Sequence, residues 1–125
     1  RAIDQLAAAM RSYVEIVTQD YGMCIIRVGE DPLPPENQRA LRSFKARLDA
    51  HFRELVRRGI EEGSIHPCDH KIAAFTLAGA LSWIGRWYRP VGPLAPEEIA
   101  RQCIELLTSG MCTPKGRARL RPALA

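Results

Sequence analysis

The stretch His70-Lys71-Ile72-Ala73-Ala74-Phe75-Thr76-Leu77-Ala78-Gly79-Ala80-Leu81-Ser82-Trp83-Ile84-Gly85-Arg86-Trp87-Tyr88 decides the fold. On a helix, Ile72, Phe75, Gly79 and Trp83 take one side, and Ala73, Leu77, Ala80 and Ile84 a second. Ala74, Ala78, Leu81 and Gly85 take the third. The segment is apolar or small all the way round, and such a helix is stable in water only when it is covered on every side. A chain of 125 residues has too few other helices to enclose it. A second copy of the chain is the economical cover, with the small residues of one flank permitting close approach.

The flanking segments support an all-α reading. Downstream, Pro90 and Gly92 end the helix, and another starts at Pro96 with Glu97 and Glu98 in its first turn and stops at Gly110. Its apolar arc, from Ile99 and Ala100 through Cys103 and Ile104 to Leu106 and Leu107, is wider than one core-facing stripe requires. The last two helices are therefore expected to form a four-helix dimer interface. Its expected contacts are Ala74, Ala78, Leu81, Gly85, Trp87, Ile99, Cys103 and Leu106.

Upstream, Ile3, Leu6, Met10, Val14 and Val17 mark a first helix over about 2–19, with Gly22 as an interruption. The run 23–28 is rich in β-branched residues but has no strand partner, so it reads as a short helix. Pro32, Pro34 and Pro35 set a loop. The longest helix covers 36–62, with the stripe Leu41, Phe44, Leu48, Phe52 and Leu55, and stops at Gly63. The fold expected is a bundle of about five helices over residues 1–112, followed by a basic flexible tail over 113–125.

Charge narrows the function. The formal charge is +4, but residues 1–112 hold 14 basic and 14 acidic side chains. The whole excess is Lys115, Arg117, Arg119 and Arg121, so the folded part lacks the basic surface of a nucleic-acid reader. The tail reads as solvated rather than as an anion-binding arm. Cys24, Cys68, Cys103 and Cys112 include no Cys-x-x-Cys pair, and they read as reduced thiols of a cytoplasmic protein. Neither a bilayer-spanning run nor a signal-peptide pattern is seen, so no membrane association is expected. The chain opens in mid-pattern at Arg1 without an initiator Met, as a fragment of a longer protein would.

From His70 to Pro96 there is no Asp or Glu, and Lys71, Arg86 and Arg89 are the only formal charges. A guanidinium among Trp83, Trp87 and Tyr88 suits a phosphate or carboxylate beside a planar group. Helix-end complementarity explains the same cations without a ligand, and for Arg89 the two readings balance. His66-Pro67-Cys68-Asp69-His70 packs four metal-binding side chains into five residues. Neighbours so close in sequence cannot readily surround one ion, and Asp69 reads as an N-cap. His51 sits at the edge of an apolar stripe. No nucleophile elbow or phosphate-cradling loop is present, so no catalytic residue, metal or cofactor is expected.

Three runs carry a family resemblance: Leu55-Val56-Arg57-Arg58-Gly59-Ile60-Glu61-Glu62-Gly63-Ser64-Ile65, Ala80-Leu81-Ser82-Trp83-Ile84-Gly85-Arg86-Trp87-Tyr88-Arg89-Pro90, and Gly92-Pro93-Leu94-Ala95-Pro96-Glu97-Glu98-Ile99-Ala100. Together they resemble the C-terminal domain of TetR-family transcriptional regulators over almost all of residues 1–112. The resemblance implies a homodimeric, effector-sensing domain that controls operator DNA binding, in most members repression, through an N-terminal helix-turn-helix. No such element is seen in this chain, which is therefore not expected to read DNA by itself.

The Trp-Tyr-Arg-Pro branch resembles repressors of lipid or sterol catabolism that respond to acyl-CoA thioesters. The residues expected at such a pocket are Met10, Tyr13, Phe44, Leu48, Phe52, Phe75 and Trp83, with Arg86 for the anionic group. Two alternatives stay open: a helical dimerisation module without a ligand, and a metal-dependent enzyme using His66, Cys68 and His70.

Overall fold

A computed structural model describes residues 1–110 and 113–124. Cys112, and with it the expected domain limit, lies outside the described residues. The elements are α1 (Ala2–Thr18), α2 (Asp20–Val28), α3 (Pro35–Glu62), α4 (His70–Trp87), α5 (Pro96–Ser109) and α6 (Pro114–Leu124). There is no strand among the described residues, and no helix there is long and apolar enough to cross a membrane.

The centre of the bundle is α1, against which α2, α3, α4 and α5 all pack. Its stripe Leu6, Met10, Val14 and Val17 is buried. Met10 and Val14 meet Phe52, Leu55 and Val56 of α3 and Leu81 and Ile84 of α4 in one core, all nearly inaccessible to solvent. Burial of a side chain of this size contributes about 1.5–3 kcal/mol. Ile99, Ala100 and Ile104 add α5 to the same core.

Ends and turns follow local chemistry. The side chain of Asp69 caps α4 by accepting from the Ile72 amide at 2.9 Å. The Glu62 carboxylate, at the end of α3, accepts from the Ala2 amide at 3.1 Å, placing a negative charge on the positive end of α1.

Gly22 does not interrupt a helix, as the sequence suggested. Gln19, with extended backbone, makes the break, and Gly22 lies inside α2. A Cβ there would stand 1.9 Å from the Ile16 carbonyl oxygen, so a hydrogen is what lets α2 fold back on α1.

Residues 114–124 form α6, which has no buried residue. Pro114 suits a first helical turn, the Gly116 amide donates to Thr113 Oγ1 at 3.2 Å, and the Arg, Ala and Leu that follow favour helix.

α4 meets α1, α2 and α3, and its buried residues lie along one side of it. The side turned inward carries Ala74, Leu81 and Gly85, all buried within this one chain, as is Ile99 of α5. These four expected interface residues have little surface left to offer a second copy. Ala78 and Cys103 are half-buried, whereas Trp87 and Leu106 remain exposed. The apolar surface that α4 turns outward comes from Ile72, Phe75, Trp83 and Trp87, which are 67%, 51%, 60% and 48% exposed. Because all three sides of α4 are apolar, periodicity could not say which faces the core. The small flank went inward because α1 and α2 approach closely there.

Candidate functional site

A groove of about 310 Å³ opens between α2 and α3. Its floor is α1, through Tyr13 and Val17, with Ile25 on one wall and Phe44 and Leu48 on the other. The volume suits a small ligand. It exists because the apolar stripe of α3 continues beyond the core: Phe52 and Leu55 are buried, while one and two turns earlier Leu48 and Phe44 look over α2. Tyr13 joins floor to core, its ring stacked on that of Phe52 with centroids 6.1 Å apart. Burial pushes the Tyr13 phenol above its usual pKa against the opposing pull of the Ser82 hydroxyl, so it stays protonated at neutral pH.

Among the described residues, Lys45 is the one charged side chain on the groove wall. Its Nζ stands 3.7 Å from Glu30 Oε2, and Arg42 Nε donates to Glu30 Oε1 at 2.8 Å. Glu30 belongs to the proline-rich loop between α2 and α3. The Gln38 amide fixes that loop by donating to the carbonyls of Glu30, Asp31 and Leu33 at 3.2, 3.3 and 3.0 Å.

The opposite wall is tied to α4. Arg27, at the end of α2, donates to the carbonyls of Gly85 and Tyr88, at 2.9 and 2.7 Å. On the outer side of α4 the Arg86 guanidinium lies over the Trp83 ring at 5.4 Å, and Arg53 lies over Phe75 at 5.1 Å.

Of the pocket residues expected from sequence, Tyr13, Phe44 and Leu48 line the groove. Met10 and Phe52 are core residues with no exposure and cannot touch a ligand without a rearrangement. Phe75, Trp83 and Arg86 belong to the outer side of α4, away from the groove. The expectation missed Tyr21 and Ile25, spaced one turn apart on α2, and Lys45. The α2 pair was visible as an i, i+4 spacing, but nine residues are too few to fix a face without knowing the neighbours.

The His66–His70 run is the end of the α3–α4 connection, with His70 opening α4 and Asp69 serving as its cap. Among the described residues no three His, Cys, Asp or Glu side chains converge as a metal site would require. Cys24, Cys68 and Cys103 are free thiols; burial raises the pKa of Cys103, which favours its unreactive protonated form. His51 is exposed.

Comparison with known proteins agrees with this architecture. A family model for the tetracyclin repressor-like C-terminal domain matches residues 1–111. Two curated relatives are both described as the HTH-type transcriptional repressor KstR2. That of Rhodococcus jostii is 27% identical over 77 residues, covering 58% of this chain and 38% of the relative. That of Mycolicibacterium smegmatis is 25% identical over 64 residues, covering 50% and 31%. The matched stretch thus spans only about a third of each relative's length.

Two solved structures superpose on most of the chain. AibR in complex with isovaleryl coenzyme A and operator DNA gives a TM-score of 0.70 at 25% identity, covering 86% of this chain and 59% of that one. A TetR/AcrR-family regulator from Thermobifida fusca gives 0.69 at 25% identity, covering 89% and 57%.

Proposed function

Since the chain belongs to the TetR-like C-terminal domain family, we propose that it is the effector-sensing and dimerisation domain of a transcriptional repressor, and that its effector is an acyl thioester of coenzyme A. The observation that carries this reading is the groove between α2 and α3: apolar along its length, with one cation on its wall and a second beside it. Such a site suits a ligand with an apolar body and an anionic head. The bound isovaleryl coenzyme A of the structural relative AibR is a molecule of that kind.

The second part of the reading is a homodimer. The outward side of α4 exposes Ile72, Phe75, Trp83 and Trp87 together, and a second copy is the partner that would cover them. The sensor and the dimer surface are mechanically joined, because α2 is a wall of the groove and Arg27 at its end grips α4. A ligand that binds one spacing of α2 and α3 better than another shifts the population of dimer geometries. In the full-length regulator that shift reaches operator DNA through a helix-turn-helix domain. Operator DNA is then a partner of that domain and not of the groove.

Thermal unfolding with acyl-CoA in excess tests the effector. At a hundredfold excess over Kd, a ligand bound only by the folded state adds about 2.7 kcal/mol, which raises Tm by several degrees. A Tm unchanged by butanoyl, octanoyl and hexadecanoyl coenzyme A, with operator affinity of the full-length protein equally unchanged, overturns the assignment. It would leave the ligand-free dimerisation module as the surviving reading.

A further inference from the structure

We infer that Arg42 and Lys45 form the subsite for the phosphates of the ligand, and that Glu30 occupies this subsite when no ligand is bound, as a built-in competing anion. This deepens the groove reading above and rests on it.

Arg42 and Lys45 are three residues apart on α3, so their side chains project from the same face. Both converge on one carboxylate: Glu30 Oε1 accepts from Arg42 Nε at 2.8 Å, and Glu30 Oε2 lies 3.7 Å from Lys45 Nζ. Lys45 is at the same time part of the groove wall, so the three-charge cluster adjoins the apolar space. Two cations facing one carboxylate leave a net positive charge. A phosphate arriving there adds charge of the sign that the cluster lacks, and it can displace Glu30 outright.

The position of Glu30 is not that of a casual surface pair. Its side chain is only 24% exposed, whereas its cationic partners are 64% and 58% exposed. The three carbonyls held by Gln38 pin the loop that carries it to the first turns of α3. The loop follows directly on α2, so a ligand that expels Glu30 pulls on the end of the helix that Arg27 ties to α4.

Occupation by Glu30 therefore discriminates between ligands by their heads. An acyl chain with a neutral head fills the groove without disturbing the cluster, and a coenzyme A thioester must exchange with the carboxylate. Calorimetric titration of the chain with octanoyl coenzyme A and with octanoyl pantetheine, the same thioester without phosphates, measures this. Wild type is compared with Glu30→Gln and Lys45→Gln, with circular dichroism to verify folding.

Glu30→Gln should tighten binding of the coenzyme A thioester about fivefold and leave the pantetheine thioester unchanged. Lys45→Gln should weaken only the coenzyme A thioester. The wild-type preference for coenzyme A should fall with added salt, and in Glu30→Gln it should start higher and fall more steeply. Glu30→Gln acting on both ligands alike, or on neither while both bind, overturns the competing anion and leaves the groove intact. Binding of neither ligand by wild type overturns the groove reading, and this inference with it.

Discussion

Ile26 of α2 lies directly against Gly85 of α4, so close that a Cβ on Gly85 would come within 3.0 Å of the Ile26 side chain. One residue later Arg27 bonds to the Gly85 carbonyl at 2.9 Å. Ile26 also lines the groove. The inner wall of the groove and the buried flank of the helix that turns aromatic rings outward are thus one contact.

Breaking that contact at Arg27 should loosen the coupling and cost moderate stability. Two hydrogen bonds from a guanidinium to carbonyls are at stake, partly open to water, so Arg27→Met should lose about 1–2 kcal/mol in urea denaturation. The groove itself is untouched, so acyl-CoA affinity should change far less than the effect of ligand on dimer dissociation. A ligand effect on dimerisation equal to that of wild type would show that α2 does not transmit it.

The close approach of α2 to α1 makes a sharper demand. At Gly22 the obstacle is the Ile16 backbone, which cannot rotate out of the way as a side chain can. Gly22→Ala should cost about 3 kcal/mol or more, at the upper end for overpacking. It should also abolish ligand binding, because the α2 wall can no longer seat. At Gly85 the nearest atoms are the Cγ1, Cβ and Cγ2 of Ile26, at 3.0–3.2 Å rather than 1.9 Å, so a shift of a few tenths of an ångström suffices and Gly85→Ala should be milder. Denaturation midpoints that rank the two substitutions the other way would contradict the packing.

Much of this bundle was legible in the sequence. Helix limits were set by signals that act over one or two turns: Asp69 as a cap, Pro96 at a start, and Gly63 and Gly110 at ends. What could not be read was which side of α4 faces inward, because its three sides differ little in hydropathy and the choice belongs to α1 and α2. The same limit placed Phe75, Trp83 and Arg86 in the pocket. Their residue types fit ligand contacts, but their direction depends on packing that the sequence does not state. On α1 and α3 a single clear stripe fixed the inward side, but not where the core ends and the groove begins: Met10 and Phe52 are buried, whereas Phe44 and Leu48 of the same α3 stripe line the groove.

Two phenylalanines on one stripe of α3 should separate stability from binding. Phe52 is completely buried, and Phe52→Ala should cost about 3–5 kcal/mol by leaving a cavity beneath Tyr13. Phe44, two turns earlier and 40% exposed, has only the groove to face. Phe44→Ala should leave Tm within a few degrees of wild type and weaken acyl-CoA binding about tenfold, as loss of a buried aromatic contact does. Equal effects of the two substitutions on Tm would mean that the groove is closed in solution.

Acid should weaken the fold through two helix carboxylates, Asp69 as the α4 cap and Glu98 as the partner of Arg101 and Gln102. The hydrogen bond from the Ile72 amide holds the Asp69 carboxyl below its ordinary pKa. Arg101 and then Gln102 hold that of Glu98 at about 2. Folded-state values below the unfolded ones mean that this stabilisation is complete above the ordinary carboxylate range, about pH 4–5. It is lost as pH falls through the folded values. Tm should therefore fall between pH 5 and about 2. Asp69→Asn keeps an acceptor for the cap but has no carboxyl to titrate, so its profile should be flatter there than that of wild type. A parallel profile would remove Asp69 from the acid transition.

The outward side of α4 allows a direct trial of the dimer. Trp83 is 60% exposed, with its ring under Arg86, so replacing it changes the surface and leaves the core intact. Trp83→Glu puts a carboxylate into the middle of the aromatic patch, and in a two-fold contact every such change occurs twice. Sedimentation at micromolar concentration should therefore show a dimer for wild type and single chains for Trp83→Glu, with Tm of the separated chain little altered. Leu106→Glu on α5 asks the same of the second helix, since Leu106 is 50% exposed and α5 packs on α1 by its other side. If both variants remain dimeric, the two-fold axis lies elsewhere and the exposed tryptophans serve another partner; if only Trp83→Glu dissociates, α4 alone carries the interface.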